Sequence, residues 1–370
     1  MRKKICFFSG DITRSGGTER VAIQLANALQ KEEIYDICFI SLTEQQKKTF
    51  YPIHPNINRY RLGEKWLNPG PGYIPLIGKL RKFLKEKQID IIIDIDIVLD
   101  VLAIPATRRT KTKVVSWEHF NCEFEQQILY RRLISRLTVH SADYIITLTE
   151  EDKENYRKIL GRKTQISAIY NMAPKMMRNG DVLRENWIVT AGRLTYQKGI
   201  EYLAEIAVPV LKKHPDWKWL VLGDGEDRTI LEQAIAENKL EDQLLLKGTV
   251  DQVDWYLNRA RLCVLTSRYE GFGMCLVEAL KMQVPCISFD VKVGPSEIIT
   301  DGENGLLIPP FECEQMIREI NHLIENPDRL QELSANTMIG LERYQDEHII
   351  EKWKKVLNTM SWQRKRTWQK

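Results

Sequence analysis

The feature that most limits what this chain can fold into is a series of strand-sized runs that are apolar on both parities. Tyr144-Ile-Ile-Thr-Leu148, Trp187-Ile-Val-Thr-Ala191, Trp219-Leu-Val-Leu222 and Leu262-Cys-Val-Leu-Thr266 are examples. A strand with one wet face alternates apolar and polar side chains. A strand buried on both faces does not, and that arises where helices cover a parallel sheet on each side. Helix-period stretches fall between the runs. In Gly16–Gln30 the residues Val21, Leu25, Ala28 and Leu29 share one face, and in Leu76–Lys87 the residues Leu76, Leu80, Phe83 and Leu84 oppose Lys79, Lys82 and Lys85.

Read along the chain, strands are predicted at Lys4–Ser9, Ile34–Leu42, Asn56–Leu62, Ile89–Ile95, Lys113–Trp117 and Tyr144–Leu148, with further helices over 121–140 and 150–160. Residues 174–186 break the pattern. Strands resume at Trp187–Ala191, Trp219–Leu222, Gln243–Lys247, Leu262–Thr266, Pro285–Ser288 and Leu306–Ile308. The expected fold class is α/β, with two doubly wound, Rossmann-like domains facing across a cleft. The first domain covers 1–173, a linker 174–186, and the second domain 187–345. The helix Asp346–Leu357 carries Ile349, Ile350, Trp353 and Leu357 on one face and is expected to pack back on the first domain, ahead of a basic tail to residue 370.

Composition narrows the class. At 370 residues, 43% hydrophobic and 28% charged, the chain has material for two cores and no run near the ~20 apolar residues that span a bilayer. The apolar part of the basic start, Met-Arg-Lys-Lys-Ile-Cys-Phe-Phe, is too short for a secretory leader and reads as a first buried strand. Seven scattered cysteines form no Cys-x-x-Cys pair and have no His partner at zinc spacing, which points to a reduced, cytoplasmic protein. Charge is unevenly spread: 29 basic against 20 acidic side chains in 1–175, 18 against 30 in 176–351, and 7 against none in the last 19. The basic half, including Leu76–Lys87 and the loop with Trp66 and Tyr73, suits an anionic membrane surface, and so a peripheral place on the inner face of the plasma membrane. Nucleic acid is not the expected partner.

Chemistry concentrates in Ser267-Arg-Tyr-Glu-Gly-Phe-Gly-Met-Cys-Leu-Val-Glu278, where an apolar strand meets a helix starting near Gly273. Gly271 and Gly273 let the backbone approach a ligand, and a helix start offers N–H groups to an anion. With Glu270 and Glu278 on either side to hold hydroxyl groups, the stretch suits a nucleotide diphosphate sugar. It suits an ordinary strand–turn–helix connection equally well. Arg193 and Lys198 follow another strand and sit beside glycines, as cations do that neutralise a pyrophosphate. Gly16 and Gly17 precede the first helix but lack the Lys-Ser/Thr of a P-loop and the Gly-x-Gly-x-x-Gly of a dinucleotide site. Gly223-Asp-Gly225 is a further tight turn, and His119 ends a strand in Trp117-Glu-His-Phe-Asn121. Asp94-Ile-Asp96 has the Asp-x-Asp spacing of metal-dependent sugar transferases but ends a strand of the other half, so no metal is expected.

Taken in order, Ser15-Gly-Gly, Trp117-Glu-His-Phe-Asn, Ala191-Gly-Arg-Leu-x-x-x-Lys-Gly199, Gly223-Asp-Gly, Glu270-Gly-Phe-Gly-x-x-x-x-Glu278 and Asp301-Gly-x-Asn-Gly-Leu306 resemble the retaining nucleotide-sugar glycosyltransferases of family 4, which have the GT-B fold. The resemblance implies roles. Arg193 and Lys198 would bind the diphosphate. Backbone amides of Phe272, Met274, Cys275 and Leu276, with Gly223 and Gly225 nearby, would bind phosphates and sugar, and Glu278 would hold the ribose. Glu270 would steady an oxocarbenium-like transition state. His119 would touch the donor sugar, and Gly16 and Gly17 would close over the phosphates. Retention in this family is explained by front-face attack with the leaving phosphate taking the acceptor's proton, which accords with the lack of a glycosidase-type nucleophile pair. Where many relatives have Asn-Gly, this chain has Tyr170-Asn171-Met-Ala-Pro174, which loosens the reading of the acceptor side.

The expected activity is transfer of a hexose (Gal, GalNAc, Glc or GlcNAc) from a UDP-sugar to a lipid-linked or growing surface-glycan acceptor, with no cofactor and no metal. Two alternatives stand beside it: a nucleotide-sugar epimerase of the same fold, and a non-catalytic nucleotide-sugar-binding protein.

Overall fold

The computed structural model describes residues 2–64, 72–160, 164–173, 176 and 182–360. Trp66, most of the breaker-rich segment 174–181 and the tail 362–370 lie outside them. The chain divides into two units: residues up to Met172 together with those from Asp346 on, and Ala173–Gln345.

The first unit runs β1 (Lys3–Ser9), α1 (Gly17–Lys31), β2 (Tyr35–Ser41), β3 (Asn58–Arg61), α2 (Tyr73–Lys87), β4 (Ile91–Ile95), α3 (Asp100–Thr107), β5 (Lys113–Trp117), α4 (Cys122–Gln127), α5 (Leu129–Ser141), β6 (Tyr144–Thr147), α6 (Glu150–Leu160) and β7 (Gln165–Ala168). Its seven strands are ordered β3-β2-β1-β4-β5-β6-β7, every pairing parallel. Helices cover both faces, as the apolar runs require. One face buries Cys6, Phe8, Ile92, Val114 and Ile145 beneath Leu80 and Leu84 of α2, Leu102 of α3 and Ile134 of α5.

Three local features depart from the sequence reading. The single helix predicted over 121–140 is two, broken at Ile128, whose backbone is extended (φ −97°, ψ 114°) although no Gly or Pro marks the spot. Helix α3 escapes the periodicity because it is eight residues long and contains Pro105. Strand β7 escapes it too, being half-exposed at the sheet edge and so without the apolar signature of the others.

The second unit runs β8 (Trp187–Ala191), α7 (Ile200–Lys213), β9 (Lys218–Leu222), α8 (Arg228–Asn238), β10 (Leu244–Gly248), α9 (Val253–Leu257), β11 (Leu262–Leu265), α10 (Met274–Lys281), β12 (Cys286–Phe289), α11 (Pro295–Ile298), β13 (Gly305–Ile308), α12 (Cys313–Glu325) and α13 (Pro327–Asn336). The strand order is β10-β9-β8-β11-β12-β13, again all parallel. Trp219, Phe289, Leu203 and Met316 are fully buried between the sheet and α7 and α12. The final helix, α14 (Asp346–Thr359), belongs to the first unit, where Trp353 is fully buried edge-on against Trp117 at 4.8 Å between ring centroids.

In each sheet the winding direction reverses once, between β1 and β4 and between β8 and β11. Loops leaving the carboxyl ends of such a strand pair diverge to opposite faces and leave a crevice, the usual ligand site of open α/β sheets.

Candidate functional site

The second unit's switch point gathers the residues its sequence singled out. The loop after β8 carries Gly192 and Arg193 and ends in a single 3₁₀ turn, Tyr196–Lys198, before α7. The loop after β11 carries Ser267 and Glu270 and ends at Gly273, which caps α10. Gly273 has φ +95°, a left-handed conformation strained for any residue with a Cβ, so the turn that opens α10 needs glycine. Leu276 N–H closes that turn onto the Gly273 carbonyl at 2.9 Å. The amides of the first helical turn point out along the axis, together with the positive end of the helix dipole.

Lys198 and Glu270, 72 positions apart, form an ion pair with Nζ 2.6 Å from Oε1. Ser267 Oγ donates to the same oxygen at 2.5 Å. Burial by itself would lower the Lys198 pKa; the Glu270 carboxylate outweighs it, and the net shift is upward although Arg193 pushes the other way. Lys198 therefore stays charged. An ammonium has three N–H donors, and Glu270 takes one. Arg193 is exposed at the end of β8, near enough for its charge to be felt at Lys198. Cys275, in the first turn of α10, lies within electrostatic reach of Lys198, Glu270 and Glu278, and burial drives its thiol pKa up. Glu270 and Glu278 are both buried, at 4% and 5% exposure, rather than the solvated glutamates of an ordinary turn. Phe272, also buried, packs edge-on against Tyr344 at 5.6 Å.

Gly223 and Gly225 are also required by the protein's own backbone. A Cβ on Gly223 would lie 1.8 Å from the Gly192 carbonyl oxygen, and one on Gly225 would lie 2.2 Å from that of Leu194. Their missing side chains let the loop after β9 close on the loop bearing Arg193, and Leu194 N–H bonds the Asp224 carbonyl at 3.0 Å.

One side chain that sequence reasoning passed over ties the two functional loops together. Arg268 Nη1 donates to the Tyr196 carbonyl at 2.7 Å, and its own amide donates to the Gln197 carbonyl at 2.8 Å. Its guanidinium lies 3.9 Å from the Tyr196 ring centroid and 4.9 Å from that of Tyr202, and it pairs with Glu201. Gln197 returns a bond to the Tyr269 carbonyl at 3.2 Å. Arg268 thus fixes the turn that presents Lys198 against the loop that presents Glu270. Nothing local in the sequence marks an arginine whose hydrogen-bond and ion-pair partners lie 67 to 72 positions away.

In the first unit, Gly17 opens α1 and Gly16 is its cap. The Glu19 carboxylate, paired with Arg14 at 3.5 Å, occupies the space a Gly16 Cβ would need. His119 follows β5 with its ring against Trp117 at 4.5 Å, and Trp353 supports Trp117 from behind. Burial lowers the His119 pKa to about 3, so the imidazole is neutral, and its Nε2 is buried with no hydrogen-bond partner among the described residues. Its neighbours have structural work. Glu118 accepts from Phe120 N–H at 2.8 Å and Tyr156 Oη at 2.7 Å, and Asn121 Oδ1 accepts from Glu123 N–H at 2.8 Å to cap α4.

Asp94 and Asp96 do not act as a pair. Burial, then the neighbouring Asp100, push the Asp94 carboxyl well above its ordinary value, and Asp100 accepts from Ser116 and Thr138. Asp96 instead accepts from Val98 N–H at 3.0 Å and faces Arg131 at 3.9 Å. Among the described residues no group of three or more His, Cys, Asp or Glu side chains converges as metal ligands would.

Comparison with known proteins bears on the family and the fold. Residues 15–173 match the family Glycosyltransferase Family 4, and residues 175–338 match Glycosyl transferases group 1. An uncharacterized glycosyltransferase of Haemophilus influenzae is 31% identical over 356 residues, 96% of this chain and 100% of that one. The amylovoran biosynthesis glycosyltransferase AmsD of Erwinia amylovora is 27% identical over 96% of this chain and 99% of its own. Among solved structures, S. aureus TarM superposes with a TM-score of 0.80 at 17% identity, covering 97% of this chain and 100% of that chain. Anabaena HepE gives 0.79 at 19%, covering 96% and 99%. At these identities the structures speak for the fold, which is GT-B.

Proposed function

The chain belongs to glycosyltransferase family 4, and from that premise we propose that it is a retaining, metal-independent transferase moving a hexose from a UDP-sugar to a lipid-linked or growing surface glycan. The observation that carries the reading is the Lys198–Glu270 pair, buried and held by Ser267 beside the glycine-opened start of α10. A carboxylate and an ammonium at one switch point supply both charges the reaction needs. Lys198 and Arg193 take the charge that grows on the departing diphosphate, and Glu270 faces the positive charge that grows on the sugar. Glu278 takes the ribose hydroxyls. The amides of Phe272, Met274, Cys275 and Leu276 take the phosphates.

In the proposed step the bond from the sugar's anomeric carbon to the phosphate oxygen breaks. A bond to the acceptor hydroxyl oxygen forms on the same face, and the acceptor's proton passes to the departing phosphate oxygen. No side chain need act as a base, which suits a neutral His119 and a Glu270 already engaged by a cation. His119 and the Gly16-Gly17 turn are assigned to donor binding on the family resemblance, with His119 Nε2 as the contacting atom.

Relatives support the substrate class. AmsD is named for biosynthesis of a polysaccharide, amylovoran. A Campylobacter jejuni relative, 25% identical over 96% of this chain, is an N-acetylgalactosaminyltransferase named for an undecaprenol-diphosphate-linked acceptor. HepE binds UDP-glucose.

The test is UDP release from UDP-glucose, -galactose, -GlcNAc and -GalNAc with a polyprenyl-diphosphate-linked saccharide, in the presence of EDTA. Turnover with one donor, dependent on acceptor and indifferent to chelator, is expected. Conversion of a donor without acceptor would instead make the protein an epimerase, and no turnover with any donor would sink the proposal.

A further inference from the structure

The Asp94-Ile-Asp96 motif takes no part in the proposed step, yet Asp96 holds a place that the fold alone does not explain. It leaves the carboxyl end of β4, on one side of the first unit's switch point, with φ +126° and ψ 130°. That backbone favours glycine, and residues strained in this way cluster at ligand sites. The fold engages only part of the carboxylate. Oδ1 accepts from Val98 N–H at 3.0 Å and faces Arg131 Nη1 at 3.9 Å. Oδ2 has no hydrogen-bond partner among the described residues, and the side chain keeps 23% of its surface in water. Arg131 comes from α5, and its guanidinium also lies 5.0 Å from the centroid of the Phe120 ring. It therefore braces Asp96 against the loop that carries His119. That loop leaves the neighbouring strand, since Ile95 of β4 and Trp117 of β5 are register partners. On the other side of the switch point, Glu19 of α1 is near enough for its charge to be felt at Asp96. Each acid faces its own arginine, Asp96 with Arg131 and Glu19 with Arg14, so the charge of the group cancels.

We propose that Asp96 binds the acceptor saccharide, with its second carboxylate oxygen accepting a hydrogen bond from a sugar hydroxyl beside the one that attacks. This role rests on the transferase reading above and gives its acceptor a binding group. A neutral hydroxyl fits because the two acid–arginine pairs leave no net charge for a phosphate or an amine to meet. The attacking hydroxyl fits less well. Its proton passes to the departing phosphate oxygen, and a carboxylate bonded to it would compete for that proton. The donor already has its partners: Lys198 and Arg193 for the diphosphate, Glu278 for the ribose, Glu270 and His119 for the hexose. A purely structural role is met as well by asparagine, whose Oδ1 still accepts from Val98, and the backbone is met better by glycine.

Steady-state kinetics of the full chain with a UDP-sugar and a polyprenyl-diphosphate-linked saccharide test it, alongside UDP affinity by calorimetry. Asp96→Asn keeps the bond to Val98 and puts an NH₂ group where the second oxygen was. Its kcat/KM for the acceptor should fall roughly ten- to a hundredfold, mostly through KM, as the loss of a charged hydrogen bond does. Donor KM and UDP affinity should stay at the wild-type values. Among acceptors deoxygenated in turn at each non-reacting position of the terminal sugar, one should be used equally by wild type and Asp96→Asn. Asp96→Gly relieves the backbone, so it should melt no lower than wild type and still lose acceptor use as far as Asp96→Asn does. An unchanged acceptor KM in Asp96→Asn, with wild type active, would overturn the role of Asp96 and leave the transferase reading standing. A rise in donor KM instead would place the carboxylate on the donor and overturn it too. Lower melting temperatures in both variants, with kcat rather than KM reduced, would make Asp96 structural. No turnover by wild type with any donor would remove the transferase reading and the role of Asp96 together.

Discussion

Replacing Lys198 with methionine keeps the side-chain stem and removes the ammonium, which leaves a buried Glu270 carboxylate without its cation. Removing one partner of a buried ion pair costs about 3–5 kcal/mol. Two features of this pair reduce the figure. The Lys198 side chain keeps 19% of its surface in water, and Ser267 still donates to Glu270. A loss of about 2–3 kcal/mol is therefore expected, lowering the melting temperature of a unit this size by roughly 5–10 °C. The rate should fall further, by roughly 10²–10³, because a cation facing developing phosphate charge acts mainly in the transition state. The double variant Lys198→Met with Glu270→Gln separates the two effects. It removes the orphaned charge and leaves an amide oxygen for Ser267, so stability should largely return while UDP release stays low. Thermal melting and UDP release on the single and double variants are the measurements. If Lys198→Met turns over at near the wild-type rate, or the double variant regains rate along with stability, Lys198 is structural and the site has been misread.

Two further substitutions test how the site is held. Arg268→Leu removes a charged hydrogen bond and two cation–π contacts from the Lys198 turn, so kcat should fall about tenfold or more with Lys198 and Glu270 intact; an unchanged kcat would mean the turn holds itself. For His119, a folded value of about 3 lies below the ordinary value near 6.5, so the unfolded chain takes up the proton first. The stability this gives is fully present above pH 6.5 and falls as the pH drops toward 3, by about 2 kcal/mol at pH 5. Denaturant unfolding at pH 8 and pH 5 should show that loss in wild type and not in His119→Asn, and parallel curves for the two would place the ring in water.

The order of apolar residues along the chain already carries most of the architecture. Runs such as Trp219–Leu222 can be buried on both faces only in a covered parallel sheet, and two series of them, separated by a break near residue 180, give two doubly wound units. The chemistry-bearing loops are legible for the same reason, since turns after apolar strands are where glycine and charge can gather. What a linear sequence cannot carry is anything that depends on two distant segments meeting. That Gly223 and Gly225 also admit the backbone of residues 192–194 is visible only once the two loops meet. The break at Ile128 has no local breaker to announce it. Arg268 reads as one more charged loop residue until folding sets it between Tyr196 and Tyr202. Periodicity encodes burial, and burial fixes the sheets and the strand ends at which a site can form. Which carboxylate meets which ammonium there is set by strand order, which brings Lys198 and Glu270 within 2.6 Å across 72 positions of chain.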